Sequence, residues 1–435
     1  MKTFCAPDGL SAETINNNQN ELLLATIDYA RQMSPFYKDI LQNAGTLQSA
    51  AHAREYLDKL PFTTKQDISN NNWNFLAVKK QDIAEFVSTS GTTGEPLFLA
   101  LTENDLERLT CSEERNFNNI NAGKEDLFHI VVTCDNLFTA GIAYYRGLIR
   151  RGASVARIGP KSIIRHFQLI KELRPTGIVA VPSFMHYLIR HANEIGINIP
   201  DLGIEKIVLI GDSIRNTDFS TNTLGSFIEN SFGRKVFSTY GISEGQISFG
   251  ECKFHHGLHG HTDFVYVEIV SDEGIPLQDG EIGEMVITTL QHEGMPLIRY
   301  KTGDITFKLS GQCLCGRNSV RIGPVLGRKH HRLKVKGVTL YPKTIENAIF
   351  HLKDVINYQL EAYTGDTKTD HIILRIGSHR NDDKFRSSLI DILRAKTRVV
   401  PEIEIASPNE IEKKLFEGGS RKAITFKDRR IKLHE

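Results

Sequence analysis

Between Phe128 and Ser238 the chain repeats one pattern: a short apolar run, a small or polar break, then a stretch of helical character. The runs are Phe128–Val132, Ser154–Ile158, Gly177–Val181, Ile207–Ile210 and Val236–Ser238. Short apolar runs alternating with helices predict buried strands in a doubly wound, mostly parallel sheet, an α/β fold. The breaks are Val181-Pro182-Ser183, Gly211-Asp212-Ser213 and Tyr240-Gly241-Ile242-Ser243-Glu244. They fall just beyond strand ends, the rim where ligands of open α/β sheets bind.

The flanks read differently. Leu23, Ile27 and Ala30 recur at helical spacing until Ser34-Pro35, so the N-terminal region is expected to be largely helical. A β-rich segment is expected over 265–308, with Gly274, Gly280 and Gly283 at its turns. Past Gly327-Arg328 the pattern predicts a helix over 342–351, strands over 357–363 and 371–376, and a helix over 382–396, together a small α+β domain. A chain of 435 residues exceeds one ordinary core, and the expected division is a domain of 1–327 and a smaller one of 328–435.

Lys and Arg number 53 against 52 Asp and Glu, so the net charge of +1 gives no global pull toward nucleic acid or membrane. No run reaches the roughly 18 apolar residues of a membrane span, the first residues lack a signal-peptide core, and the cytoplasm is the expected location. Six cysteines in so long a chain make no disulfide framework; they are expected as thiols or metal ligands.

Ser88-Thr89-Ser90-Gly91-Thr92-Thr93-Gly94 concentrates hydroxyls and glycines that can turn donors onto phosphate oxygens, although a polar surface turn has the same composition. It is neither a Walker A loop nor a Gly-x-Gly-x-x-Gly fingerprint. Tyr240-Gly241-Ile242-Ser243-Glu244 offers an aromatic face for a base beside a carboxylate for Mg²⁺, and the run Pro296–Asp304 ends in an aspartate able to accept both ribose hydroxyls.

In this order the motifs resemble those of the adenylate-forming superfamily, specifically its phenylacetate-CoA ligase-like branch. The resemblance spans nearly the whole chain, from Ser34-Pro35-Phe36-Tyr37 and Leu60–Lys65, through the 88–94 loop, Leu137–Gly141, Tyr240–Glu244 and Arg299–Asp304, to Gly327-Arg328 and Gly337–Pro342. It implies an enzyme that joins a small, aryl-type carboxylic acid to ATP as acyl-AMP and passes the acyl group to coenzyme A, releasing AMP and pyrophosphate. It further implies that residues 88–94 hold the β- and γ-phosphates and that Glu244 binds Mg²⁺. Tyr240, Gly241 and Ser243 with Gly211, Asp212 and Ser213 would flank the adenine, Asp304 and Arg328 would hold the ribose, and Lys422 would bridge the substrate carboxylate and the α-phosphate. The acid pocket falls to Phe138, Ala140, Gly141 and Phe184.

Three positions depart from the family pattern: Glu95 stands where a lysine is common, Arg421 precedes Lys422 in place of glycine, and Lys329-His330-His331 replaces an acidic hinge. The hinge is where the small domain is thought to rotate between half-reactions.

Cys252, followed by His255, His256, His259 and His261, and Cys313-Leu314-Cys315 supply enough soft donors for a closed structural Zn²⁺ site; the other reading is free thiols beside loop histidines. Some members of the resembling branch carry a similar pattern, and the expected ligands are Cys252, His259, Cys313 and Cys315. Arg328, Lys329, Arg332, Lys334, Lys336 and Lys343 form a basic stretch suited to coenzyme A phosphates or to an acidic carrier protein, or simply a solvated face. Transfer to a phosphopantetheinyl carrier is therefore one alternative function. A non-catalytic nucleotide or acyl-adenylate binding protein, suggested by Glu95, Arg421 and the altered hinge, is another.

Overall fold

The structure is a computed structural model that describes residues 9–47, 49–89, 97–159, 161–335, 337–350, 352–365, 370–415, 417 and 424–430. The chain divides into two compact units, Met1–Thr221 with Gly225–Val325, and Asn222–Leu224 with Leu326–Glu435.

The larger unit is built on a nine-stranded sheet. Its parallel part runs in the order β4 (Ser154–Arg157), β3 (Leu127–Ile130), β5 (Gly177–Ala180), β6 (Lys206–Ile210), β7 (Val236–Ile242). Ile130, Val179, Val208 and their neighbours are buried on both faces, which is why these strands read as unbroken apolar runs instead of alternating ones. The chain leaves β3 to form β4 on one side and returns to form β5 on the other. The order therefore reverses between β3 and β5, and the segments leaving their carboxyl ends border the crevice that such a reversal opens.

One expectation is corrected. Tyr240, Gly241 and Ile242 lie inside β7 instead of in a break after it. The physical reason is a second strand, β8 (Ile247–Glu251), which folds back antiparallel and pairs Tyr240 with Phe249, Gly241 with Ser248 and Ile242 with Ile247. The sheet continues antiparallel through β9 (Leu258–His259) to Arg321–Ile322 and Lys308–Leu309.

The β-rich segment forms β10 (Val265–Val270), β11 (Gly283–Thr289) and β12 (Tyr300–Thr306), paired antiparallel in sequence. The helices Ala12–Met33 and Pro35–Asn43 pack through Leu23, Ile27, Ala30, Tyr37 and Leu41 into one core with Val267, Ile287 and Tyr300. The helix Glu103–Asn119 begins in a capping box between Thr102 and Asp105 and buries Arg108 completely.

The smaller unit has a four-stranded sheet in the order Glu402–Ala406, Asp370–Gly377, Asn357–Thr364, Phe426–Asp428. The helices Pro342–Ile349 and Asp383–Thr397 contribute Ile345, Ile349, Phe385, Leu389 and Leu393 to its core with Leu360, Leu374 and Ile376. Among the described residues no helix is long and apolar enough to cross a membrane.

Candidate active site and metal corner

The expected phosphate loop leaves from β1 (Glu85–Ser88), which pairs antiparallel with β2 (Phe98–Leu101). Ser88 donates its N–H to the Leu137 carbonyl at 2.8 Å, and Thr89 donates to the Leu97 carbonyl at 3.0 Å. The base of the loop is thereby tied to the segment carrying Phe138, Ala140 and Gly141. Ser90, Gly91, Thr92, Thr93 and Gly94 lie outside the described residues, as do Glu95, Lys336, Arg421 and Lys422.

Phe138 caps the start of the helix Thr139–Arg150, which follows β3, and Phe184 sits in the first turn of the helix Pro182–Glu194, which follows β5. Both therefore stand where the strand order reverses. Gly141 is required there: a Cβ would lie 2.1 Å from the Thr133 carbonyl oxygen and 2.7 Å from Cys134 Sγ. Phe184 packs edge-on against His166, ring centroids 4.8 Å apart, and His166 Nδ1 lies 2.8 Å from His129 Nε2. Burial pulls both imidazoles down to about 4, so this pair is neutral near pH 7.

Two of the expected nucleotide residues meet directly. The Tyr240 hydroxyl donates to Asp304 Oδ2 at 2.6 Å, joining β7 to β12. Gly211 leaves β6 with φ of +85°, a left-handed turn that favours glycine, and Asp212 and Ser213 follow. Arg328 belongs to the smaller unit.

Glu244 lies in the tight turn between β7 and β8, and two cations hold that turn. Arg108 donates to the Gln246 carbonyl at 2.8 Å, the Leu290 carbonyl at 2.9 Å and the Phe264 carbonyl at 2.6 Å, so one buried guanidinium satisfies carbonyls from three segments. Burial lowers its pKa to about 10, leaving it cationic at neutral pH. The second cation is Lys65, whose Nζ stands 4.0 Å from Glu244 Oε1. Thr63 bridges to Tyr300 of β12, and Thr64 caps the helix Lys65–Asn71 with Asp67. A lysine on the first residue of a helix opposes the helix dipole.

Sequence reasoning assigned no role to Lys65 or Arg108. The motif Leu60–Lys65 and the unfavourable helix position were the available signals for Lys65; nothing in the local sequence marks Arg108.

Cys252, His259, Cys313 and Cys315 converge, with one ligand atom from each lying within 4.8 Å of the others. Cys252 Sγ and Cys313 Sγ are 3.9 Å apart, far beyond a disulfide, and Cys315 Sγ is 3.5 Å from His259 Nε2. A tetrahedral site with metal–sulfur arms of about 2.3 Å has edges of about 3.8 Å, so the donors fit Zn²⁺. His259 Nδ1 lies 2.8 Å from Ser319 Oγ, leaving Nε2 to face the cysteines. Burial, with Arg317 and Arg321 nearby, pulls His259 down to about 3, and burial pushes the Cys252 thiol up to about 12.

The loop base at Ser88–Thr89, the Tyr240–Asp304 pair across two sheets and the Glu244 turn keep the chain order of the adenylate-forming motifs. The family model described as AMP-binding enzyme matches residues 27–291. The chain is 31% identical to the phenylacetate-coenzyme A ligase of Thermus thermophilus over 81% of this chain and 79% of that protein. It is 30% identical to the protein of that name from Escherichia coli (strain K12), over 81% and 80%. Among solved structures, 2-hydroxyisobutyryl-CoA ligase in the postadenylation state superimposes with a TM-score of 0.83 at 18% identity, covering 98% of this chain and 90% of that one. The chain belongs to the AMP-binding enzyme family, within its phenylacetate-CoA ligase-like branch, and is an AMP-forming acid–thiol ligase.

Proposed function

We propose that the chain activates a small aryl carboxylic acid as acyl-AMP and transfers the acyl group to the thiol of coenzyme A. A carboxylate oxygen of the acid attacks the α-phosphorus of ATP, and the bond to pyrophosphate breaks. The coenzyme A thiolate then attacks the acyl carbon, and AMP leaves with the bonding pair. Tyr240 and Gly211–Ser213 flank the adenine, Asp304 and Arg328 hold the ribose, and residues 88–94 grip the β- and γ-phosphates.

Lys422 bridges the substrate carboxylate and the α-phosphate, where a compact ammonium stabilises charge developing at phosphorus. Glu244 would hold Mg²⁺, which supplies charge neutralisation to the triphosphate. Glu95 removes a cation common in this family, and Lys65 beside Glu244 supplies one from another segment. Cys252, His259, Cys313 and Cys315 would hold a structural Zn²⁺. The small domain, with its hinge at Lys329-His330-His331, turns between the two half-reactions, and its basic stretch meets the coenzyme A phosphates.

The observation that carries this reading is the Tyr240–Asp304 hydrogen bond, and with the Glu244–Lys65 pair it supports assigning these residues to the nucleotide. The aryl preference is supported by Phe138 and Phe184 at the sheet reversal and by the names of the relatives. Exchange of labelled pyrophosphate into ATP, run over a panel of aryl and aliphatic acids, should respond most strongly to an arylacetic or benzoic acid. A stronger response to short aliphatic acids would overturn the aryl assignment, and no exchange with any acid would overturn adenylation. Lys422→Ala should lower the exchange rate about 100-fold or more. Thioester formed on a holo-carrier protein and none on coenzyme A would move the second half-reaction to a carrier.

A further inference from the structure

Glu251 is the last residue of β8, and the next residue is Cys252. Successive side chains of an extended segment point to opposite sides. Cys252 turns to Cys313 at 3.9 Å, while Glu251 turns back into the sheet, where it is 2% exposed. There it meets both elements that lead into the adenine site. Arg215, two residues beyond Ser213, donates to it twice, Nε to Oε1 at 2.9 Å and Nη2 to Oε2 at 3.1 Å. Ser238, two residues before Tyr240 on β7, donates its backbone N–H to Oε2 at 3.0 Å.

His255, from the loop that joins two of the proposed metal ligands, places Nδ1 3.0 Å from the same Oε2 and 2.9 Å from Arg215 Nη2. Arg215 in turn donates to the Val236 carbonyl at 2.8 Å and lies 3.7 Å from Glu229. One buried carboxylate therefore gathers the loop after β6, the strand β7 and the Cys252–His259 loop. None of these contacts is made by a residue assigned to the acid or the nucleotide.

We propose that Glu251 is a positioning residue that couples the metal corner to the nucleotide pocket: ordering Cys252 on the metal fixes Glu251, and Glu251 fixes the Gly211–Ser213 loop and Tyr240 around adenine. The proposal rests on the adenine and zinc assignments above. Coupling between binding sites is reciprocal, so whatever the metal does for nucleotide affinity, the nucleotide does equally for metal affinity. A pair that served only to stabilise the fold would not transmit that effect.

The test uses the full chain as purified, with zinc content measured first and zinc loss then followed with a chromophoric chelator, with and without saturating MgATP in excess Mg²⁺. The wild type should carry about one zinc per chain and lose it about fivefold or more slowly with MgATP. Glu251→Gln keeps the shape and removes the charge, and should cut this protection to less than twofold. Arg215→Lys, which removes the two-pronged contact and leaves Glu251 and Cys252 in place, should do the same and serves if the first variant is purified without zinc. Zinc absent from the wild type overturns the metal assignment and the coupling with it. Zinc present but released at one rate with and without MgATP, or protection that persists in both variants, overturns the coupling alone.

Discussion

Two fully buried glutamates line one small cavity of about 10 Å³ between the helix Glu103–Asn119 and the sheet, and they meet burial in opposite ways. Around Glu251 the protein supplies a cation: burial alone pushes the carboxyl up, and the hydrogen bonds from His255 and Arg215 more than offset it, so the group stays ionised. Around Glu113 it supplies only neutral partners, Asn116 at 3.2 Å and Ser248, and burial raises the carboxyl to about 7. No ion pair to Glu113 is formed among the described residues. A buried carboxylate in this fold is thus a fixed charge where it organises loops, and a group that keeps its proton up to about neutral pH where a helix simply packs on β8.

The harshest way to break the contrast is Glu251→Ala. It strands the Ser238 N–H, leaves Arg215 only the more distant Glu229 as counter-charge, and should lower stability by about 3–5 kcal/mol in urea unfolding. A loss below about 1 kcal/mol would mean that the charge there is idle. The next effect is on pH. Glu113 has a raised folded value, so its contribution is complete below the usual carboxylate value of 4.5 and is lost as pH climbs toward about 7. The loss across that window is roughly 3 kcal/mol, and Glu113→Gln should remove it, leaving the variant more stable than the wild type at pH 8. Equal slopes for the two proteins would show that Glu113 is ionised throughout.

The two smaller tests ask whether hydroxyl partners organise sites as the Arg215 guanidinium does. Ser319→Ala frees the His259 ring to choose its tautomer and should weaken zinc binding about 10-fold, read by competition with a chelator. Tyr240→Phe deletes the hydrogen bond to Asp304 and should raise the KM for ATP about fivefold, with the KM for the acid unchanged. A matching rise in both would assign Tyr240 to general packing of the pocket.

Most of the parallel strands were legible because they are short apolar runs, buried on both faces in β5 and the middle of β6, and β5 and β6 are closed by Val181-Pro182 and Gly211. Tyr240–Ile242 was misread as a break because its small and polar residues look like a turn, and the strand that keeps them extended, Ile247–Glu251, comes only afterwards. The four convergent Cys and His residues were legible because soft ligands carry their chemistry in residue type and spacing. Arg108 was not, and Glu251 was visible only as the neighbour of Cys252, with no role of its own. A charged residue inside a helix or strand looks like a solvated one, and nothing local announces that Arg108 will meet carbonyls more than a hundred residues away. Lys65 fell between the two, since its motif was visible while its nearness to Glu244 depends on how Thr63 is pinned to Tyr300.

Gly141 carries a consequence for redesign. Because a Cβ there would press into the Thr133 carbonyl, the helix Thr139–Arg150 docks by backbone against backbone, and that position tolerates no side chain without displacing the helix start. Libraries built on the proposed acid pocket should hold it invariant and diversify Phe138, Ala140 and Phe184. In a deep mutational scan, position 141 should therefore be depleted for every substitution, whatever acid is used for selection.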